Sequence, residues 1–328
     1  RFNFDLETSQ PDIVHFLWPE ELTDWKRPSR EQLETIIARF DRWAQRARII
    51  VTINNLYPHR YDKDASFHRL FEALYQRAQV LHHFSQTSKD SVCKEFPSVA
   101  NQRHLVRLGF NYDRLLPDHR DRAASRLKFG LSPAENVYLA FGSLRTWEEV
   151  QVLAQGFERA RDPKKRLLIA SQYSEFGPLW KQRIRRARWR AWLRRHRAVQ
   201  MTDYVPDEEL YHLFDAADAV IVVRQHGLSS GVPSMAMTFG RFLIAPDIGA
   251  LPEYLAGTDN LLYKAGSAKS LAAAIEQAAK MDRRTAEAQN RRIADGWDWD
   301  GIIGACLEAL DRVLAVPGAG SHGVEAAC

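Results

Sequence analysis

Two short loops carry residues that could hold a phosphate. In RQHGLSSGVPS, residues 224–234, the apolar run DAVIVV breaks into Gly227, Ser229, Ser230 and Gly231 just ahead of a helix-forming stretch. Glycines and hydroxyls at such a point present backbone N–H groups and the positive end of a helix dipole, which suits an anion the size of a diphosphate. The same residues also suit a plain strand-to-helix turn. In NVYLAFGSLR, residues 136–145, Gly142 follows a second apolar run and Arg145 stands three residues further on. Both loops fall at the carboxyl ends of expected strands, where ligands bind in open α/β sheets. The pattern predicts a nucleoside diphosphate between the two loops, with Arg145 on a phosphate.

The elements that must place these loops alternate between two periods. The short apolar runs DIVHFLW, RIIVTI, QVLHHFS and RHLVRL in the first half, and NVYLAFG, KRLLIAS, DAVIVVR and RFLIAP in the second, read as strands. Between them lie helical patterns such as EQLETIIARFDRWAQRA, where Leu33, Ile36, Ile37, Phe40, Trp43, Ala44 and Ala47 recur at three and four residues. Further helices are expected to begin near Trp147, Asp207, Ser234 and Ser267. Such alternation predicts an α/β protein of two Rossmann-like, doubly wound domains facing each other across a cleft. The polar, proline-bearing segment NYDRLLPDHRDRAASRLKFGLSPAEN is expected to hold the boundary. The expected divisions are a domain over 1–122, lacking its first strand, a second over 123–300, and a C-terminal helix and frayed tail over 301–328.

Composition sets the limits. The chain has 328 residues, 45% of them apolar and 11% aromatic, which is enough to bury two cores. No apolar run approaches the roughly 18 residues of a membrane span, and no signal-peptide pattern follows Arg1, where the native start is expected to be missing. Cys93, Cys306 and Cys328 are few, odd in number and without metal spacing, so a cytoplasmic protein with no zinc site or disulfide framework is expected. The net charge of +5 is unevenly spread, because KQRIRRARWRAWLRRHR places nine Lys and Arg between Lys181 and Arg197. Ile184, Ala187, Trp189, Ala191, Trp192 and Leu193 form an apolar stripe there. Two readings follow: a helix peripheral to an anionic membrane, or a solvated face over a sheet with snorkelling arginine stems. A nucleic-acid partner is not expected, since no helix-turn-helix, zinc or RNA-recognition signature is present.

Longer segments carry a resemblance. MTDYVPDEELYHLFDAADAVIVV and FGRFLIAPDIGALPEYL resemble the nucleotide-side segments of GT-B glycosyltransferases, including a GxxPE turn whose acid is Glu253 here. PDIVHFLWPEEL, TINNLYPH, FGSLR and SSGVPSMAMTFGR resemble bacterial exopolysaccharide glycosyltransferases such as the xanthan β-mannosyltransferase family. The pattern departs from that family at Leu17, Asn54 and Glu148, where histidine, histidine and lysine are usual. Gly227 and Met235 stand where many retaining members carry a glutamate pair.

The resemblance implies transfer of a sugar from a UDP- or GDP-sugar donor to a glycan or lipid-linked saccharide acceptor, without a metal or other cofactor. It implies donor contacts at Gly142, Arg145, Tyr204, Val205, Arg224, Gln225, Ser229, Ser230, Gly231 and Glu253. On the acceptor side it points to Trp18, Asn54 and Asn55, with Glu20, His59 and His15 as candidate catalytic groups and Glu20 as first choice for the base. Each has a plainer role: Glu20 as a helix-start acid, His15 as a core histidine, His59 as a loop histidine, and Trp18 as packing. A non-catalytic relative that binds a nucleotide or a partner is the alternative, motivated by the departures.

Overall fold

The computed structural model describes residues 11–58, 61–116, 120–171, 178–201 and 205–314, with side chains through 311. Two compact units emerge, one of residues 1–108 with 299–328 and one of residues 109–298.

Unit 1 is built on a four-stranded parallel sheet. In chain order it holds β1 (Ile13–Phe16), α1 (Arg30–Arg46), β2 (Arg48–Ile53), α2 (Ala65–Arg77), β3 (Val80–His83), α3 (Gln86–Glu95) and β4 (His104–Val106). The strands lie in the order β1-β2-β3-β4, so among the described residues the sheet advances in one direction. The helix starts are set by side-chain caps: the Ser29 hydroxyl accepts the Gln32 N–H, Asp64 accepts from Ser66 and Phe67, and Ser85 accepts from Ser88. On α1, Leu33, Ile36, Phe40 and Trp43 turn inward at the expected spacing.

Unit 2 continues with α4 (Arg122–Lys128), β5 (Asn136–Phe141), α5 (Trp147–Arg159), β6 (Lys165–Ala170), α6 (Leu179–Arg195), β7 (Val199–Met201), α7 (Asp207–Ala216) and β8 (Ala219–Ile221). It closes with α8 (Gly231–Thr238), β9 (Phe242–Pro246), α9 (Leu251–Leu255), β10 (Leu261–Tyr263), α10 (Ala268–Ala278) and α11 (Arg284–Asp295). Its six parallel strands lie in the order β10-β9-β8-β5-β6-β7, so the chain leaves β5 in one direction, returns, and continues from β8 in the other. That is the Rossmann order, with its reversal between β5 and β8. Strands β8 and β9 are buried throughout and β5 nearly so, as expected of a parallel sheet covered on both faces. The chain then returns to unit 1 as α12 (Trp299–Leu314), where Cys306, Ala309 and Leu310 pack with Ile50 of β2 and Val80 of β3.

All eight expected strands form. Strands β7 and β10, three residues each at the two edges of the sheet, were not expected; nor was α9, which forms in place of a turn. Helix α8 starts at Gly231, ahead of Ser234. The boundary between units falls at 108/109 rather than 122/123. The segment after it is tied into unit 2: the Gly109 N–H donates to the Tyr254 hydroxyl at 3.1 Å, the Tyr112 N–H to Thr238 Oγ1 at 3.1 Å, and Arg291 pairs with Asp113 at 2.8 Å. Nor does the C-terminal helix stand apart as its own segment, since α12 supplies core to unit 1.

Candidate functional site

The reversal of unit 2 brings the two sequence loops side by side. β5 and β8 are hydrogen-bonded neighbours, with Ala140 opposite Ile221, so Gly142–Arg145 and the residues after Ile221 leave the sheet at adjacent carboxyl ends. Gly142 has φ +87°, and a Cβ there would stand 3.3 Å from Val232 and 3.5 Å from Arg224 Nη2. Glycine thus lets the first loop pass close over the second.

Glu149 holds the two arginines together. Thr146 caps α5 by accepting the Glu149 N–H at 3.1 Å, and the Glu149 carboxylate folds back to accept the Arg145 backbone N–H at 2.7 Å. The same oxygen lies 3.8 Å from Arg224 Nη1, with both side chains buried and Glu149 only 2% exposed. Burial and the neighbouring Arg224 hold the Arg145 pKa down to about 10, while Glu149 opposes the shift. Burial likewise lowers Arg224, against the pull of Glu149. Both remain cations near neutral pH: Arg224 acts against the charge of Arg145, and Glu149 favours the charge of both. An anion arriving there relieves their mutual repulsion.

The Ser-Gly loop is held from behind by the turn after β9. The Ala250 N–H donates to Leu228 O at 3.0 Å, and Gly249, at φ +55°, has room for no Cβ, which would sit 2.4 Å from Gly227 O. Ser230 caps α8, its Oγ accepting the Val232 N–H at 3.4 Å. Gln225, Ser229 and Ser230 are half-buried, and Gly231 is exposed at the helix start. Glu253 lies on α9, beyond that turn, and is half-buried. Val205 follows the edge strand β7, away from β5 and β8 in the sheet order. Tyr204 lies outside the described residues, as does His59.

A second cluster forms within unit 1, at the carboxyl ends of β1 and β2. His15 Nε2 lies 2.7 Å from Thr52 Oγ1, which lies 3.1 Å from His82 Nδ1. Burial lowers the pKa of His15 and takes that of His82 down to about 4, so both rings are neutral near pH 7. Asn54 Nδ2 donates to Leu17 O at 2.8 Å, joining the two strand ends. His15 opens onto a cavity of about 510 Å³ that is also lined by Trp18, Glu21, Asp24 and Trp25. The rings of Trp18 and Trp25 lie 5.7 Å apart, and Trp18 is 39% exposed, so it is not core packing. Asp24 and Trp25 both take positive φ, +51° and +59°, a costly conformation for a bulky side chain.

Glu20, the first choice for a base, is sealed instead. It is 2% exposed in the 3₁₀ turn Pro19–Thr23, and Glu21 is the acid that lines the cavity. Burial is the main cause that raises the Glu20 pKa to about 7, with a smaller push from Glu21, while the Asn55 amide beside it pulls the other way.

Sequence reasoning thus singled out the two loops that the fold brings side by side, and it missed Glu149 and Trp25. The spacing Thr146-x-x-Glu149 was a readable capping signal. Among the described residues, no group of three His, Cys, Asp or Glu side chains is placed to hold a metal ion.

Residues 135–281 match the model of the family described as Glycosyl transferases group 1. No curated protein matches the chain in sequence. Among solved structures, the chain is similar to the sucrose-phosphate synthase of Thermosynechococcus elongatus, at 16% identity and a TM-score of 0.71 over 93% of this chain and 74% of that one. It is similar to Anabaena HepE in complex with UDP-glucose, at 17% identity and a TM-score of 0.67 over 93% and 79%. It is also similar to the catalytic domain of starch synthase IV from Arabidopsis thaliana bound to ADP and acarbose, at 14% identity and a TM-score of 0.69 over 94% and 74%. Residues 135–281 thus match the Glycosyl transferases group 1 model, and the chain's two parallel α/β units have the GT-B fold of these solved structures.

Proposed function

We propose that the protein transfers a sugar from a nucleotide-sugar donor, a UDP- or GDP-sugar, to a glycan or lipid-linked saccharide, and that it does so without a divalent metal. The observation that carries this reading is the Arg145–Glu149–Arg224 arrangement at the reversal of the unit 2 sheet, next to the start of α8. Departure of a nucleoside diphosphate leaves negative charge, and fixed guanidiniums and N–H groups stabilise it where it develops. Two structurally similar proteins, in complex with UDP-glucose and with ADP, support a nucleotide there. The xanthan-type exopolysaccharide enzymes are the narrower specificity within this reading.

The acceptor hydroxyl needs a base, and His15 fits that role better than Glu20. It is neutral, it opens onto a cavity, and its second nitrogen is held by Thr52. Trp18 offers a face for a sugar ring in the same cavity.

Isothermal titration of the full chain with UDP, GDP and ADP, followed by a screen of the matching sugar nucleotides for turnover, tests the proposal. Binding of one diphosphate and hydrolysis or transfer of its sugar are expected. Binding of none of the three overturns it, and binding without turnover of any sugar nucleotide favours the non-catalytic alternative.

A further inference from the structure

Helix α6 has two apolar faces, and only one of them is used. Trp189 and Leu193 are buried in the unit 2 core with Trp192 packed against it, and Arg185 lays its guanidinium over Trp147 of α5 at 5.6 Å. The sequence suggested one stripe running from Ile184 to Leu193. At about 100° of rotation per residue the apolar positions instead separate into two sets half a turn apart. Trp180, Ile184, Ala187 and Ala191 recur at four, three and four residues on the side opposite Trp189 and Leu193, and all four are exposed, Trp180 by 60% and Ile184 by 52%. Cations border this outer stripe on both sides: Arg183, Arg190 and Arg194 along one edge, and Lys181, Arg188 and Arg195 along the other, every one exposed. The helix contains no acidic residue.

We propose that the outer face of α6 docks on an anionic lipid membrane, with Trp180 and Ile184 at the acyl boundary and the six bordering cations at headgroup phosphates. An apolar stripe between two cationic edges matches the surface of such a bilayer, where apolar side chains sink below a layer of negative charge and long basic side chains reach back up to it. The charges argue against the other occupants. A second copy of α6 would bring six cations against six, and a nucleic-acid backbone would leave the central Trp180 and Ile184 without apolar partners. This surface does not depend on the nucleotide site, so its test stands apart from the proposed activity.

The test is co-sedimentation of the full chain with vesicles of phosphatidylcholine alone and of phosphatidylcholine with one-third phosphatidylglycerol, at about 0.1 M salt, where charges interact over roughly 10 Å. Binding to the anionic vesicles only, with release at about 1 M salt, is expected. Changing Arg183, Arg188, Arg190 and Arg194 to Gln should lower the partition by about fivefold per charge. Trp180→Ser with Ile184→Ser keeps every charge and should lower it by about tenfold or more. All six positions are exposed, and unchanged circular dichroism confirms the fold of each variant. Equal binding by the serine variant overturns insertion of the stripe. Absence of wild-type binding to anionic vesicles, with binding to poly-glutamate in its place, overturns the membrane assignment in favour of an acidic protein partner.

Discussion

The strand ends of the two units carry opposite kinds of chemistry on similar β/α scaffolds. In unit 2 they carry permanent charge, Arg145 and Arg224 around Glu149, set by glycines that let two loops approach. In unit 1 they carry groups that exchange protons near neutrality or are held neutral: His15, His82 with a pKa near 4, and Glu20 near 7. The first set suits an anion, and the second suits acceptance of a proton. Their sheets differ in the same sense, since unit 2 reverses at β5 and β8, the kind of point where open α/β sheets take ligands, while the described strands of unit 1 advance in one direction. A division of labour between units is therefore testable by damage that touches only one of them.

The largest effect is expected at Glu149. Its carboxylate is buried between the Arg145 N–H and the Arg224 guanidinium, so Glu149→Gln leaves a buried cation without its counter-charge and should cost about 3–5 kcal/mol of unfolding free energy. Urea denaturation measures the loss. A change below about 1 kcal/mol would mean that the arginine pair does not depend on this acid.

Glu20 comes next, and it sharpens the contrast through pH. Its folded pKa of about 7 lies above the ordinary value of 4.5. Between those values the folded chain keeps a proton that the unfolded chain releases. This group's contribution is thus fully present below pH 4.5, falls as pH rises to about 7, and is lost above it, by about 3 kcal/mol at most. Glu20→Gln should flatten that part of the profile and melt higher than the wild type at pH 8. Calorimetry from pH 5 to 8 checks it, and parallel wild-type and mutant profiles would show that the buried carboxyl ionises freely.

Arg145→Ala should weaken nucleoside diphosphate binding by about 1.5–3 kcal/mol, the scale of a charged hydrogen bond. Titration calorimetry reads it directly. Unchanged affinity would place the diphosphate away from the unit 2 switch point.

How far these contrasts were legible in the sequence depends on what each residue's role rests on. Strands β5, β8 and β9 were legible because nearly continuous burial on both faces writes itself as an apolar run. Edge strands β7 and β10 are three residues long and half-exposed for most of their length, so they leave no such run. The two loops after β5 and β8 were legible because glycine and serine act locally. The second role of Glu149 was not, since its partner Arg224 is remote in the chain and meets it only once β5 and β8 pair. Glu20 and Glu21 look alike in PEEL, and only the fold decides that one is sealed while the other lines a cavity. On α6 the periodicity was visible, but which of two apolar faces turns inward is fixed by the core beneath it.

The smallest effect expected is also the cleanest separation of the units. Thr52 stands between His15 and His82, and its hydroxyl is the only atom that the side chain contributes to that chain of contacts. Thr52→Val keeps the shape and removes the hydroxyl, and His82 Nε2 is already a buried nitrogen without a partner among the described residues. The substitution should therefore cost about 1 kcal/mol of stability, the net value of a hydrogen bond, and leave the His15 ring unheld at Nε2. If His15 is the base, a ring free to turn transfers protons less often, so turnover should fall several-fold while diphosphate affinity, set by Arg145 and Arg224, stays unchanged. Side-by-side titration and turnover assays of Thr52→Val and Arg145→Ala give the comparison. Loss of nucleotide affinity in the Thr52 variant, or full turnover in it, would break the division between a charge-bearing unit 2 and a proton-accepting unit 1.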